Sequence, residues 1–151
     1  MINSDPAMKT ENADPFSIKV RVYFEDTDAG GVVYNANYVK FIERARTEWL
    51  RHRGYEQRGM LESGLGFVIA SLEVSFKKPA RLDDELTVTC EVESLMSASV
   101  TFRQTVLNQK GELLITARAR LACVDMKAMK PCLFPENLKR IFAGEDAGSG
   151  Q

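Results

Sequence analysis

Apolar and polar positions alternate at the start of the patterned region, where Ile18, Val20, Val22 and Phe24 are interleaved with Lys19, Arg21 and Tyr23. A period of two predicts a half-buried strand over residues 17–25. Past Asp28-Ala29-Gly30-Gly31 the period lengthens, and Tyr38, Phe41, Ile42, Ala45 and Trp49 recur at helical spacing up to Gly54. This predicts a long helix over 37–53 with Asn37 as its N-cap, and with Arg51, His52 and Arg53 in the last turn where cations suit the helix dipole. Glu43, Arg44, Arg46 and Glu48 read as helix-surface and interface charge. Residues 55–66, punctuated by glycine, have room for a short helix.

From there the period returns to two. Residues 67–76 predict a strand, Leu86, Val88, Cys90 and Val92 a second, and Val100, Phe102 and Val106 a third in which Gln104 is the one polar exception. Asn108-Gln109-Lys110-Gly111 is a turn signal, and Leu113 to Cys123 a last long alternating run. Leu138 to Phe142 forms an amphipathic coda. Consecutive strands joined by short turns imply an antiparallel sheet, so the expected class is α+β, a long helix wrapped by about five strands. One helix covers one sheet face and leaves edges open, which predicts pairing with a second copy.

Composition narrows the function. The chain has 151 residues, 44% hydrophobic and 27% charged, enough for one core and without an apolar run near the roughly 20 residues of a membrane span. Residues 16–143 form the expected domain, flanked by solvated tails over 1–15 and 144–151. Twenty basic against 21 acidic residues give a net charge of −1, which removes a general footprint for nucleic acid. The N-terminal stretch lacks the basic and apolar blocks of a secretion signal, so a cytoplasmic protein is expected. Three cysteines and one histidine do not build a four-ligand zinc site, and no metal is expected. Cys90 and Cys123, set among alternating apolar residues, read as reduced core thiols.

The candidate chemistry lies between the first strand and the long helix. Glu25, Asp26 and Asp28 stand at a strand end, followed by Gly30-Gly31 and a helix start, so carboxylates lie beside backbone N–H groups able to approach a ligand. Acids before a glycine pair also form simple Asx-turns. Paired aspartates after an apolar strand occur in haloacid-dehalogenase-type phosphatases, but the alternating βα pattern of that fold is absent. A dehydratase that relies on a histidine paired with an acid would have only His52, which is at the wrong end of the helix.

The segment Arg21-Val22-Tyr23-Phe24-Glu25-Asp26-Thr27-Asp28-Ala29-Gly30-Gly31-Val32-Val33-Tyr34 resembles the active-site stretch of the hotdog-fold acyl-CoA thioesterases, specifically the 4-hydroxybenzoyl-CoA thioesterase family and its Tol-Pal-associated, YbgC-like branch. The likeness continues through Asn37-Tyr38 and residues 41–50, recurs at Lys78-Pro79-Ala80-Arg81-Leu82-Asp83-Asp84-Glu85-Leu86, and covers about residues 17–125. It implies a long helix wrapped by an antiparallel sheet in a homodimer or homotetramer, and hydrolysis of an acyl-CoA or acyl carrier protein thioester. No cofactor is implied, since coenzyme A is part of the substrate. Asp28 matches the family's catalytic carboxylate, which attacks the thioester carbonyl or activates water. Backbone N–H groups from Tyr34 to Ala36 match its oxyanion site, which Gly31 and Val33 approach, while Tyr34 and Tyr38 would flank the acyl group. Asn35 stands where many branch members have histidine, so it can orient a carbonyl or water but cannot shuttle a proton. Lys77, Lys78 and Arg81, with Arg118 and Arg120 on one face of the last strand, read either as ligands for the coenzyme A phosphates or as a solvated edge blunted by basic residues. The branch also implies a place at the inner membrane face, and a non-catalytic acyl-CoA or acyl-carrier scaffold as the alternative function.

Overall fold

The structure, a computed structural model, describes residues 15–145, so the expected tails lie outside the described residues apart from residues 15, 144 and 145. Six strands occur in chain order: β1 (Phe16–Arg21), β2 (Leu65–Phe76), β3 (Glu85–Leu95), β4 (Ser99–Leu107), β5 (Leu113–Asp125) and the two-residue β6 (Lys130–Pro131). Three helices are interspersed, α1 (Asn35–His52), α2 (Gln57–Glu62) and α3 (Glu136–Phe142). The strands form one antiparallel sheet in the order β1-β3-β4-β5-β2, with β6 paired to β5. β3, β4 and β5 are neighbours both in sequence and in the sheet, whereas β1 pairs with β3 and β2 with β5, which places β1 and β2 at opposite edges. This is the expected α+β hotdog.

The seating of α1 on the sheet is explained by its spacing. Tyr38, Phe41, Ile42, Ala45, Trp49 and Leu50 fall on one face and are all buried, against Leu86, Val88, Val100, Phe102, Val106 and Ile115 from the sheet. Burial of each large side chain contributes about 1.5–3 kcal/mol, an upper figure for a compact unfolded chain. At the far end of α1, Trp49 packs edge-on against Phe102 and stacks on Phe142 of α3, with ring centroids 5.4 and 5.9 Å apart. The C-terminal coda thus closes that end of the core.

Three local readings are corrected. The first strand ends at Arg21 rather than 25, because residues 24–26 wind into a 3-10 turn that turns the chain toward the helix. The helix begins at Asn35 with Tyr34 as N-cap, and Asn37 is not the cap because its side chain is spent elsewhere, donating from Nδ2 to Asp26 Oδ1 at 2.8 Å. Arg46 is not surface charge: it is only 8% exposed. Its Nη1 donates to Oε1 of the fully buried Gln104 at 3.0 Å, and Gln104 Nε2 donates to the carbonyls of Ile42 and Thr89 at 2.9 and 3.3 Å. The polar exception on β4 is therefore the partner that lets a helix arginine enter the core.

Candidate functional site

The segment joining β1 to α1 folds back on itself as a small hairpin. Thr27 and Val33 bridge across it, Asp28 N–H donates to the Val32 carbonyl at 2.9 Å, and Gly31 N–H donates to the Asp28 carbonyl at 3.0 Å. Gly31 sits at φ +80°, the left-handed region where a side chain would strain the turn. Asp28 heads this turn. Its Oδ1 accepts from Gly30 N–H at 2.8 Å, so the carboxylate is aimed by an Asx-turn while its second oxygen has no partner among the described residues. The Asx-turn expected of acids before a glycine pair is thus present at Asp28.

Asp26, two residues earlier, has a different task. It is buried, its Oδ2 accepts from Tyr23 N–H at 2.9 Å and its Oδ1 from Asn37, while its carbonyl accepts from Tyr34 N–H at 3.0 Å. One residue therefore ties the strand end to the first turn of α1. Because Tyr34 N–H is used in this way, the helix N-terminal donors without an acceptor among the described residues are those of Asn35 and Ala36. No side chain caps this end, so two N–H groups and the positive end of an 18-residue helix remain free beside the Asp28 turn. Asn35, Ala36 and Tyr34 are exposed, Tyr34 to 58%. With Tyr23 and Phe24, 61% and 81% exposed, Tyr34 makes an aromatic surface around the loop that the strand reading of residues 23 and 24 missed.

A second loop braces the first. Val33 N–H donates to the Ala80 carbonyl at 2.8 Å, Val32 bridges to Arg81, and Ala80 N–H donates to the Tyr38 hydroxyl at 2.8 Å. Tyr38 is 2% exposed, its hydroxyl proton held by burial above the ordinary tyrosine range. It is a core tie between α1 and the Pro79-Ala80 loop, and it does not flank an open acyl site. Of the five expected cations, Arg81 is brought beside the turn. Lys77 and Lys78 are exposed on the way from β2 to that loop, Lys78 pairing with Glu112 at 3.2 Å. A depression of about 210 Å³ there is lined by Lys78, Arg81 and Lys110, together with Asp84 and Glu112. Lys110 was legible only as part of a turn. Arg118 is engaged by Glu93 and Glu73.

Beyond the turn, an open groove of about 260 Å³ runs between α1 and β2, lined by Val39, Glu43, Thr47, Phe67 and Leu72 among others. It starts one turn inside the helix N-terminus. The helix thus lies on a single antiparallel sheet, with an acid-bearing turn at its start and two N–H donors there that lack an acceptor among the described residues.

Comparison with known proteins agrees. The profile of the Thioesterase-like superfamily matches residues 22–142, and the chain belongs to that family. It is 44% identical over 131 residues to the acyl-CoA thioester hydrolase YbgC of Escherichia coli, covering 87% of this chain and 98% of that protein. To the acyl-CoA thioesterase YbgC of Haemophilus influenzae it is 45% identical over 128 residues, 84% of this chain and 93% of that one. The crystal structure of a probable thioesterase from Bartonella henselae superposes with a TM-score of 0.71 at 34% identity, covering 80% of this chain and 98% of that chain.

Proposed function

We propose that the chain hydrolyses the thioester of an acyl-CoA, with Asp28 as the reacting carboxylate and the Asn35 and Ala36 N–H groups as the oxyanion site. The observation that carries this reading is the pairing of a carboxylate fixed by Gly30 N–H with two unpaired N–H donors at the start of α1. Asp28 either attacks the thioester carbon, giving an anhydride that water then opens, or takes a proton from the water that attacks. In both routes negative charge gathers on the carbonyl oxygen, where preorganised N–H donors stabilise it most. Coenzyme A departs as a thiolate, and a thiol with a pKa of about 8.5 needs no dedicated acid. The Asn35 amide orients the carbonyl or the water, and Tyr34 walls the mouth.

Placement supports the remaining roles. The groove between α1 and β2 takes the acyl group. Gly31 and Val33 form the backbone wall next to it, and Arg81, with Lys77 and Lys78, takes the nucleotide phosphates, whether the donor is coenzyme A or the phosphopantetheine arm of an acyl carrier protein. β2 is a long edge strand on which Ile69 and Phe76 are 48% and 53% exposed, a surface that a second copy covers in a homodimer or homotetramer. No described helix is long and apolar enough to cross a membrane. The same proposal places the enzyme in the cytoplasm, peripheral at the inner membrane and linked to the Tol-Pal system.

The test is thiol release from short, long and aromatic acyl-CoAs by the wild type and by Asp28→Asn, with a melting curve for each. Asparagine keeps an acceptor for Gly30 N–H, so the fold should persist while turnover falls by roughly 10²–10⁴-fold. Full activity in the variant would remove Asp28 from the mechanism. A wild type that binds acyl-CoA without turnover would favour the scaffold function instead.

A further inference from the structure

Two of the three cysteines meet where the chain doubles back after β5. Cys123 lies in β5 and Cys132 immediately follows β6, one position beyond the Val124 and Pro131 pair, so the two stand directly opposite across an antiparallel ladder. Cys132 N–H donates to the Cys123 carbonyl at 3.0 Å, which fixes the two backbones, and the sulfur atoms are 3.3 Å apart. A disulfide needs about 2.05 Å, so closing the bond asks for little more than about 1 Å of side-chain movement. Their sequence spacing of nine residues gave no sign of this, because the pairing depends on the short turn and on β6.

We propose that Cys123 and Cys132 are an oxidisable dithiol that closes to an intrachain disulfide when the protein meets hydrogen peroxide. The two thiols are unequal. Cys123 is fully buried, whereas Cys132 is partly exposed and meets the oxidant first. Peroxide transfers one oxygen to the Cys132 sulfur, its O–O bond breaking, and leaves a sulfenic acid and one water. The Cys123 sulfur then displaces the hydroxyl group, which departs as water with the Cys123 proton. In sum, two thiols are oxidised by two electrons and one peroxide is reduced to two waters. Burial and the neighbouring Cys132 push the Cys123 thiol up to about 12, which leaves the first attack to Cys132, and the resolving step rests on the 3.3 Å closeness of the two sulfur atoms. Cys90, equally buried and with its thiol pushed up by burial, has no sulfur beside it among the described residues and stays outside the reaction.

The bond would tether the chain from Cys132 onward. Phe134, two residues past Cys132, donates from its N–H to the Ser97 carbonyl and packs on Phe67 and Phe142, with centroids 6.3 and 5.1 Å away. Phe67 is a wall of the groove. The oxidised form thus ties to β5 the segment that carries α3 and backs the groove, whereas the reduced form holds it by packing and hydrogen bonds alone.

The reduced full-length chain should be treated with stoichiometric hydrogen peroxide without denaturant, alkylated and mapped by mass spectrometry. Free thiols should fall from three to one, with a 123–132 linkage, loss of two hydrogens and full reversal by dithiothreitol. Trypsin cleaving at Lys127, exposed within the ring, should leave two fragments joined until reductant is added. The partly exposed position lets Cys132→Ser fold, and this variant should show no internal disulfide under the same treatment. Peroxide that instead carries Cys132 to a sulfinic acid, joins two chains through it, or leaves all three thiols free would overturn the proposal. None of these readouts depends on thioester hydrolysis.

Discussion

Two polar clusters sit on the same helix and are built on opposite principles. At the start of α1, Asp26 gathers Tyr23 N–H, the Asn37 amide and, through its carbonyl, Tyr34 N–H, all within 11 positions of itself. Midway along the helix, Arg46 reaches Gln104, and Gln104 returns to Ile42, across 58 and 62 positions. The first cluster is a local clamp around a loop on which Asp28, Asn35 and Ala36 are exposed. The second lies under the helix, where a guanidinium enters an apolar core and burial pulls its pKa below the ordinary arginine value. Rigidity at the site therefore comes from short-range hydrogen bonds, and the helix-to-sheet register from a long-range one.

The sharpest test of that division compares the two aspartates. Asp28→Asn should lower turnover by roughly 10²–10⁴-fold with an unchanged melting temperature, since the turn keeps its acceptor. Asp26→Ala should lower both, because it leaves the Tyr23 N–H and the Asn37 amide unpaired in a partly buried place, at about 1–3 kcal/mol. Thiol-release kinetics and thermal unfolding on the same preparations separate them. If Asp26→Ala lost activity with no loss of stability, Asp26 would be acting on substrate and the clamp would be wrongly assigned.

Why one cluster was legible from the residues and the other was not is a matter of range. The turn acids, the glycines and the helix start are adjacent in sequence, and the order of alternating and helical periods already implied the sheet, its antiparallel pairing and its single long helix. Arg46 carried the pattern of an exposed helix charge, and only the pairing of β3 with β4 beneath α1 brings Gln104 to it. Tyr38 was misplaced for the same reason: its partner, Ala80, is 42 positions away. Asn37 misled in the other direction, since a good cap residue was claimed by a nearby buried carboxylate. Gln104→Leu should therefore act on stability: it removes the acceptor of a buried cation and the donor to the Ile42 carbonyl, a loss of about 1.5–3 kcal/mol. The melting temperature should fall while turnover at a permissive temperature stays within a fewfold of wild type. A variant as stable as the parent would mean that the Arg46 charge is satisfied without Gln104.

The smallest expected effect belongs to Asn35, and it is the most informative about the reacting carbonyl. Asn35 is the first residue of α1, exposed, with no side-chain hydrogen bond among the described residues, so its replacement disturbs neither cluster. Asn35→His places an imidazole with an ordinary pKa of about 6.5 at the positive end of the helix, which disfavours the protonated form. Should the side chain face the thioester, the rate should change by a few fold and its pH profile should gain an inflection below neutrality that the parent lacks. Protonated histidine then donates to the carbonyl on the acid side, and neutral histidine, still a donor through one nitrogen, acts on the other. A rate and a pH profile superposable on the parent would place the Asn35 side chain away from the reacting carbonyl, leaving the backbone N–H groups of Asn35 and Ala36 as the whole of the helix's contribution.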